Sequence, residues 1–357
     1  MNRIGILHLV DTLEPGGTER VAVNLVNHLS RERFRPFLAT TRREGALASA
    51  VLPDVGRLAL NRTRALDLGA LRRLVRFVRE NGISIVHAHS SSLFLASLVP
   101  GARIVWHDHF GRLATAQEQP ERPAWLWGPP ARRAAAVLAV SEDLARWSRE
   151  RLGVATVYLP NFIPEVEPGP LPDLPGTPGS RVVCVANLRA QKDHLTLLRA
   201  FAPIAREIPE AHLLLAGADV EPAYAAQVRE EAAALGDRVT FLGSRSDVPD
   251  LLRGCDVGVL SSASEGFPLS LLEYGRAGLA AVATRVGQCP EVLEGAGILV
   301  PPGDIGALAD ALLALLRDPA RRQELGERLG RRVRERYCVS SVMARLEAVY
   351  HRVLGSS

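Results

Sequence analysis

Short apolar runs alternate with longer stretches in which apolar residues recur every three or four positions. In the first half of the chain, the short runs are IGILHLV (4–10), FRPFLAT (34–40), GRLAL (56–60), ISIVHAH (83–89), ARIVWHD (102–108), AAVLAV (135–140) and ATVYL (155–159). Helical patterns such as ERVAVNLVNHLS and LGALRRLVRFVREN separate most of them. This alternation predicts a mostly parallel, doubly wound sheet, whose ligands bind beyond the carboxyl ends of the strands.

A second alternating set follows a segment rich in proline and glycine, PEVEPGPLPDLPGTPG (164–179). Its strand-like runs are SRVVCVAN, AHLLLAG, DRVTFLG, CDVGVL, LAAVAT and AGILV. The pattern predicts an α/β protein with two Rossmann-like domains, at 1–163 and 181–336, and a linker at 164–180. The last residues, 337–357, have the pattern of an amphipathic helix.

Size and composition agree with two soluble domains. The chain has 357 residues, of which 47% are hydrophobic and 23% charged. Because no apolar run has the length of a membrane span and the first residues lack a cleavage site, we expect a cytoplasmic protein. The four scattered cysteines have neither disulfide nor zinc spacing. A net charge of +4 is too small to indicate nucleic-acid binding.

Lysine usage is more informative than net charge, because Lys192 is the only lysine among 43 basic residues. In a chain that otherwise uses arginine, one lysine suggests a place that needs a compact, mobile ammonium, although chance is the alternative. Ala-Gln precedes it, which excludes a Walker phosphate loop. With Arg189, it follows the first strand of the second domain, where a loop enters a helix and both cations can neutralise an anionic ligand.

The segment SSASEGFPLSLLEYGRAG (261–278) reads as a loop that follows a strand and begins a helix. Pro268 suits the first turn of that helix, and Gly266 lets the backbone come close to a ligand. The free N–H groups of residues 269–271 then form a site for an anion such as phosphate.

Two acids, Glu265 and Glu273, frame this predicted anion site. Carboxylates repel phosphate, so they more plausibly accept hydrogen bonds from hydroxyls attached to it. A phosphate with polyols on both sides describes a nucleotide-sugar. The alternative is an exposed helix start with two solvated acids.

Two H-x-H pairs end neighbouring strands of the first domain, His87 with His89 and His107 with His109. Residues two apart on a strand face the same side, so each pair can point into one site. Three roles stay open: contact with a substrate, packing in the core, and binding of a transition metal. We expect no metal, because the one nearby carboxylate, Asp108, faces the other way.

Two further features of the first domain are candidates for ligand contact. Gly16 and Gly17 precede a helix and permit close approach of a phosphate, although a plain turn explains them equally well. No G-x-G-x-x-G accompanies them, so the nicotinamide and flavin fingerprint is missing. Trp125 and Trp127 lie between arginines, which suits a membrane interface or a lipid-linked acceptor; packing onto the domain is at least as plausible.

The pattern E-G-F-P-x-x-x-x-E, from Glu265 to Glu273, resembles the signature of retaining glycosyltransferases of the GT-B type, family 4, also called group 1. Gly16, Gly17 and Glu19 match a Gly-Gly-x-Glu pattern of that family, and the resemblance covers nearly the whole chain. The chain departs from the family in two places. Asn187 stands where arginine is usual, and Phe162 replaces the glycine of Pro-Asn-Gly.

The resemblance implies two domains that face a central cleft, with the C-terminal helix crossing back to the first domain. It implies a catalytic group of Glu265, Lys192 and His109, and a donor site of Gly17, Arg189, Lys192, Gly243, Glu265, Gly266, Phe267, Pro268, Leu269, Ser270 and Glu273. In this scheme Glu265 faces the sugar, Glu273 holds the ribose, and Arg189 substitutes for the missing arginine. Weaker candidates for the acceptor site are Gly16, His107, Trp125 and Trp127.

The implied reaction is retaining, metal-independent transfer of a sugar from a UDP- or GDP-linked donor to a glycan or lipid-linked acceptor, with no separate cofactor. Contact with an anionic membrane, at its inner face, would accompany a lipid-linked acceptor. The alternatives are a nucleotide-sugar epimerase or hydrolase of the same fold, and a metal-dependent hydrolase built on the H-x-H pairs. The sequence leaves open the sugar, the base, the acceptor, the oligomeric state, and which of His107 and His109 faces the sugar.

Overall fold

The computed structural model describes residues 3–64, 67–109 and 124–355. These residues form two compact units. Unit 1 contains the described residues up to Pro164 together with those from Val339 onward, and unit 2 contains Glu165–Cys338. The predicted linker has no helix or strand, and from Glu165 onward it belongs to unit 2, where Leu174 is buried.

Unit 1 is built on a seven-stranded sheet in which all neighbouring strands run parallel, in the order β3-β2-β1-β4-β5-β6-β7. The strands are β1 (Ile4–Thr12), β2 (Phe34–Arg43), β3 (Gly56–Ala59), β4 (Ile83–His89), β5 (Arg103–Asp108), β6 (Ala136–Ala139) and β7 (Thr156–Tyr158). The helices between them are α1 (Gly17–His28), α2 (Leu68–Glu80), α3 (Leu93–Ala96), α4 (Ala124–Arg132) and α5 (Glu142–Trp147). Each predicted run overlaps one of these strands, and β1 and β2 extend two and three residues beyond their runs.

The register of unit 1 brings its histidines together. His8 of β1 lies opposite His87 of β4, and His89 lies opposite His107 of β5. Since these positions fall near the carboxyl ends of adjacent parallel strands, their side chains occupy one edge of the sheet.

Unit 2 has a six-stranded parallel sheet in the order β10-β9-β8-β11-β12-β13. Its strands are β8 (Arg181–Val185), β9 (His212–Ala216), β10 (Val239–Gly243), β11 (Val257–Leu260), β12 (Ala280–Thr284) and β13 (Ile298–Val300). Its helices are α6 (His194–Glu207), α7 (Pro222–Ala233), α8 (Val248–Arg253), α9 (Leu269–Ala277), α10 (Cys289–Leu293), α11 (Ile305–Arg317) and α12 (Pro319–Arg336). Both sheets together confirm the predicted two-domain Rossmann-like architecture.

A buried tyrosine fixes the centre of unit 2. The Tyr274 hydroxyl of α9 donates to the carbonyl of Val259 at 3.0 Å and accepts from the N–H of Val185 at 2.9 Å. Its ring lies against Gly258, where a Cβ would come within 2.5 Å of it. The helix that carries Glu273 is therefore held directly on strands β8 and β11.

The final helix, α13 (Val339–Leu354), belongs to unit 1. Its buried Glu347 forms an ion pair with Arg33 and accepts a hydrogen bond from the N–H of Ser30 at 3.3 Å. One turn further, Tyr350 is fully buried. Among the described residues, no helix combines the length and the hydrophobicity that a membrane span requires.

Candidate functional site

Lys192 and Glu265 form an ion pair in unit 2. Lys192 ends a short turn after β8, and its Nζ lies 2.5 Å from Oε1 of Glu265. The Ser262 hydroxyl donates to the same oxygen at 2.6 Å. The Glu265 side chain is 7% exposed and that of Lys192 is 22% exposed, so the pair is largely removed from water. The only lysine of the chain thus lies against the first acid of the E-G-F-P pattern.

The loops that carry this pair are joined by hydrogen bonds. The N–H of Ala263 donates to the carbonyl of Gln191, and the Gln191 side-chain amide donates to the carbonyl of Ser264, both at 2.8 Å. The Ser261 hydroxyl donates to the carbonyl of Lys192 at 3.0 Å. The loops after β8 and β11 therefore form one connected platform under the ion pair.

Gly287 supports the same platform and was missed in the sequence. It has φ +49°, and a Cβ there would lie 2.0 Å from the carbonyl oxygen of Glu265. The next residue, Gln288, donates its N–H to the carbonyl of Gly266 at 3.2 Å. Only glycine permits this close approach. The available signal was a glycine between β12 and α10.

The start of α9 differs in detail from the prediction. Pro268 is the extended N-cap residue rather than part of the first turn, and the N–H of Leu271 donates to its carbonyl at 3.2 Å. Of the three N–H groups predicted for the anion site, those of Leu269 and Ser270 therefore remain available. The ring of Phe267 packs against Tyr337 with 5.6 Å between centroids, so Phe267 offers a ligand only its backbone.

Glu273 is half-buried in the second turn of α9. Burial lowers the pKa of Arg276, and the carboxylates of Glu273 and Glu165 oppose that shift. Glu273 therefore lies within electrostatic range of a cation on its own helix. This arrangement leaves a partly accessible carboxyl group on the helix that begins at the platform.

Arg189 and Asn187 have different roles in the loop after β8. The Asn187 side-chain oxygen accepts from the N–H of Ala218 at 3.0 Å, so this side chain supports the backbone. The Nε of Arg189 is buried and has no hydrogen-bond partner among the described residues. Gly243, at the end of β10, is exposed with φ +65°, and its carbonyl accepts from the N–H of Gly217 at 2.9 Å.

Five histidines, His8, His87, His89, His107 and His109, stack at one edge of the sheet in unit 1; we call them the histidine cluster. Ring centroids are 4.6 Å apart for His87 and His89 and 4.1 Å apart for His107 and His109, so each H-x-H pair faces one side, as predicted. Burial lowers the pKa of His8 and of His109 to about 3, and it lowers the pKa of the other three well below the usual range. The cluster is therefore neutral at physiological pH.

Hydrogen bonds connect four of these rings with Tyr350. The Nδ1 of His8 lies 3.0 Å from Nε2 of His89, and the Nδ1 of His89 lies 2.8 Å from Nε2 of His109. The Tyr350 hydroxyl lies 2.5 Å from Nδ1 of His87 and 3.3 Å from Nε2 of His8. Sequence reasoning missed His8 and Tyr350, since only strand register and the packing of α13 bring them to the H-x-H pairs.

Two overlapping triads of the cluster have the donor set of a metal site. The nitrogens of His8, His87 and His89, and those of His89, His107 and His109, lie within 4.8 Å of one another. Neutral imidazole is the form that binds transition metals. Both nitrogens of His107 and the Nε2 of His87 are buried without a hydrogen-bond partner in the described part of the chain. His89 belongs to both triads, however, and each of its nitrogens already faces another histidine.

The structure separates the two predicted tryptophans. Trp125 is 77% exposed, whereas Trp127 is 8% exposed and packs against Trp106 and Phe94 at 5.7 and 4.7 Å. The prediction that Trp127 contacts an acceptor is incompatible with this burial, and packing explains it. The first of the arginines that flank the tryptophans in sequence lies within 110–123, outside the described residues.

The two glycines at the start of α1, Gly16 and Gly17, also differ from each other. A Cβ at Gly16 would lie 2.3 Å from a carboxylate oxygen of Glu19, so Gly16 makes room for that side chain. Around Gly17 there is nothing within 4 Å of such a Cβ. Gly17 is thus the one with open space for a ligand. His107, the other acceptor candidate, is 1% exposed, so a ligand reaches it only if its neighbours move.

Comparison with protein families gives two matches that adjoin along the chain. Residues 15–165 match the model of Glycosyltransferase Family 4, and residues 179–318 match that of Glycosyl transferases group 1. Over 175 residues the chain is 34% identical to N-acetyl-alpha-D-glucosaminyl L-malate synthase of Bacillus anthracis. This alignment covers 48% of this chain and 45% of that protein. Over 227 residues it is 31% identical to phosphatidyl-myo-inositol mannosyltransferase of Mycolicibacterium smegmatis, covering 61% and 58%. Each match spans about half the length of the curated relative.

Solved structures agree with the fold. Anabaena Alr3699/HepE in complex with UDP-glucose aligns with a TM-score of 0.81 at 20% identity, over 98% of this chain and all of that one. Sucrose-phosphate synthase from Thermosynechococcus elongatus aligns with a TM-score of 0.83 at 22% identity, over 99% and 100%. With both family models matched in sequence order over two parallel-sheet units, the chain belongs to the group 1, family 4 glycosyltransferases of GT-B fold.

Proposed function

We propose that the protein is a retaining glycosyltransferase that moves a sugar from a nucleoside-diphosphate sugar to a hydroxyl of a glycan or lipid-linked acceptor. The observation that carries the proposal is the ion pair of Lys192 with Glu265 on the platform between the loops after β8 and β11. This pair places one mobile cation and one hydrogen-bond acceptor side by side. A sugar phosphate needs the same two groups, a cation for the phosphate and a carboxylate for the hydroxyls.

The diphosphate would be held by cations and backbone amides. Glu265 keeps Lys192 neutralised before the donor arrives, and a phosphate would then take over as a partner of the ammonium. Arg189, whose Nε has no protein hydrogen bond among the described residues, and the amides of Leu269 and Ser270 complete the anion site. Released from part of its pairing, Glu265 accepts from sugar hydroxyls, and Glu273 accepts from the ribose.

Catalysis in this proposal is mainly electrostatic. As the bond from the sugar to the diphosphate breaks, negative charge grows on the leaving group and the sugar acquires oxocarbenium character. Lys192, Arg189 and the start of α9 stabilise that charge, and loss of one such group costs about 10²- to 10³-fold in rate. These cations take the place of a metal ion, so transfer needs neither metal nor a separate cofactor. For retention we favour a front-face route in which the departing phosphate accepts the proton of the acceptor hydroxyl.

The acceptor class is suggested by two relatives and by the exposed Trp125. The Mycolicibacterium smegmatis relative is named for transfer to phosphatidyl-myo-inositol, and the Bacillus anthracis relative for a product of L-malate. The exposed Trp125, on a helix that ends at Arg132, suits a lipid-linked acceptor at an anionic membrane surface. Vesicles with and without anionic lipid would test this contact by co-sedimentation of wild type and Trp125→Ala.

The test of the proposed function is release of nucleoside diphosphate. Purified protein is incubated with UDP-, GDP- and ADP-sugars, with and without a mixture of glycan and lipid acceptors, and free diphosphate and products are measured. Acceptor-dependent release supports a transferase. Conversion of the donor sugar without an acceptor would indicate an epimerase or a hydrolase instead, and tight binding without any release would indicate a non-catalytic protein.

A metal-dependent hydrolase is the second candidate, favoured by the two histidine triads. It predicts stoichiometric bound metal and loss of activity in chelator. The transferase proposal predicts full activity in chelator, so a single assay with and without EDTA separates the two functions.

A further inference from the structure

Tyr350 determines the direction of hydrogen bonding in the histidine cluster. A phenol has one proton and can donate to only one of its two imidazole neighbours. O–H donors form shorter hydrogen bonds than N–H donors, whose donor–acceptor distances begin near about 2.7 Å. The contact of 2.5 Å with Nδ1 of His87 is therefore the one that the hydroxyl donates, and the contact of 3.3 Å is donated to Tyr350 by Nε2 of His8.

The remaining protons follow one by one. Each buried imidazole is neutral, and a neutral imidazole has one N–H and one lone pair. Since His8 carries its proton on Nε2, its Nδ1 must accept, and the donor 3.0 Å away is Nε2 of His89. The Nδ1 of His89 must then accept as well, and its neighbour at 2.8 Å is Nε2 of His109. His109 therefore carries its proton on Nε2, which leaves the lone pair on Nδ1.

We propose that Tyr350 is a positioning residue that acts through His8 and His89 to hold His109 in the tautomer whose Nδ1 accepts a hydrogen bond from a substrate hydroxyl. The identity of that substrate rests on the proposed function. The chain of hydrogen bonds runs through β1, β4 and the residue that follows β5, and it ends on α13. The last helix of the protein thereby fixes the chemistry of a residue far from it in sequence.

The hydrogen-bond chain and a metal site exclude each other. Both possible triads require a nitrogen of His89, and the chain uses both. His107 lies outside the chain, since neither of its nitrogens has a hydrogen-bond partner among the described residues. The hydrogen-bond chain therefore defines the tautomer of His109 and not that of His107.

Nitrogen NMR of the full-length protein tests the proposal directly. Long-range proton–nitrogen correlation spectra of protein labelled with ¹⁵N-histidine distinguish the two tautomers of each ring. In the wild type we expect His109 only in the Nε2–H form. In Tyr350→Phe the Nε2–H of His8 loses its acceptor, the direction of the chain is no longer fixed, and we expect both tautomers of His109. Tyr337→Phe, at a buried tyrosine of unit 2, is the matched control and should leave His109 unchanged.

A second variant guards against misfolding of the first. His8→Asn interrupts the same chain from β1 and should also give both tautomers of His109. The proposal is overturned if His109 has its proton on Nδ1 in the wild type, or if its tautomer is unchanged in either variant. Zinc bound stoichiometrically to purified protein through His89 would overturn it as well.

Turnover is measured on the same samples and answers a different question. Loss of a neutral hydrogen bond to the substrate should lower kcat/KM for the donor about 10-fold in Tyr350→Phe. A change of tautomer without a change in turnover supports the hydrogen-bond chain and removes His109 from the proposed reaction. Loss of turnover with an unchanged tautomer of His109 contradicts the proposed role of Tyr350 in the hydrogen-bond chain.

Discussion

The Lys192–Glu265 pair of unit 2 and the histidine cluster of unit 1 both form where parallel strands end, yet they handle polar groups in opposite ways. In unit 2, a cation and an acid form an ion pair, and the ammonium retains some access to water. In unit 1, five rings are kept neutral by burial, and hydrogen bonds link four of them with Tyr350. In the proposed function, unit 2 would supply charge to a ligand, whereas unit 1 would supply a fixed pattern of hydrogen-bond donors and acceptors.

The two regions should respond differently to perturbation. A charged site fails when one charge is removed, because the partner is left buried without compensation. A neutral network is insensitive to salt and to the removal of metal, but it is sensitive to protonation. Substitutions in each region, acid and chelation therefore separate these behaviours.

Removal of the ammonium should have the largest effect. We expect Lys192→Ala to lower the rate of diphosphate release about 10²- to 10³-fold, because the leaving group loses one charged donor. Arg199→Ala is the matched control, since it removes a cation from an exposed ion pair with Glu231 in the same unit. Equal turnover of Lys192→Ala and wild type would remove the Lys192–Glu265 pair from the site.

Loss of the charge on Glu273 should have a smaller effect that is concentrated on donor affinity. Hydrogen bonds from hydroxyls to a carboxylate contribute about 1.5–3 kcal/mol, so Glu273→Gln should raise KM for the donor by about one to two orders of magnitude. Initial rates over a range of donor concentrations measure this change. If kcat falls while KM is constant, Glu273 acts on the reaction itself and not on the ribose.

Acid should destabilise unit 1 through its histidines. Their pKa values lie far below 6.5 in the folded state, so below pH 6.5 the unfolded chain binds more protons than the folded one. The free energy of unfolding therefore decreases as the pH is lowered. Below pH 6.5, each such histidine lowers the free energy of unfolding by about 1.4 kcal/mol for every unit by which the pH falls. Above pH 6.5 this loss of stability is absent. The free energy of unfolding, measured with denaturant between pH 7.5 and about pH 5, should depend less steeply on pH for His107→Leu than for wild type.

His28→Gln is the control for that experiment, because His28 lies outside the histidine cluster. An identical pH dependence for His107→Leu and wild type would mean that His107 is not held neutral by burial.

Chelation should have no measurable effect. In the transferase proposal cations of the protein stabilise the leaving group, so dialysis against EDTA should leave diphosphate release within experimental error of the untreated rate. A loss of activity that added zinc restores would assign the reaction to the histidine triads.

The strands and the cores follow from the sequence because they depend on local periodicity. Every predicted run overlaps an observed strand, and each H-x-H pair faces one side because alternation along a strand is a local property. The anion-site prediction at α9 was also local, and it erred where the cap geometry of Pro268 decides which amides stay available.

The missed features depend on contacts between distant residues. Neither the backbone approach of Gly287 to Glu265 nor the hydrogen bond of Tyr350 to His8 leaves a pattern in a single sequence. Trp127 shows the same limit, since arginines flank it in sequence while aromatic rings surround it in the fold. Burial of this kind depends on which face of α4 meets the sheet.

The single lysine permits one measurement that tests the central claim most directly. Protein labelled with ¹³C-lysine should give one side-chain signal, from Lys192, which can be followed during titration with UDP and GDP. We predict that one of these nucleotides shifts this signal in a saturable manner, and that Glu265→Gln alters the starting position of the signal. A Lys192 signal that stays constant while a nucleotide demonstrably binds would contradict the account.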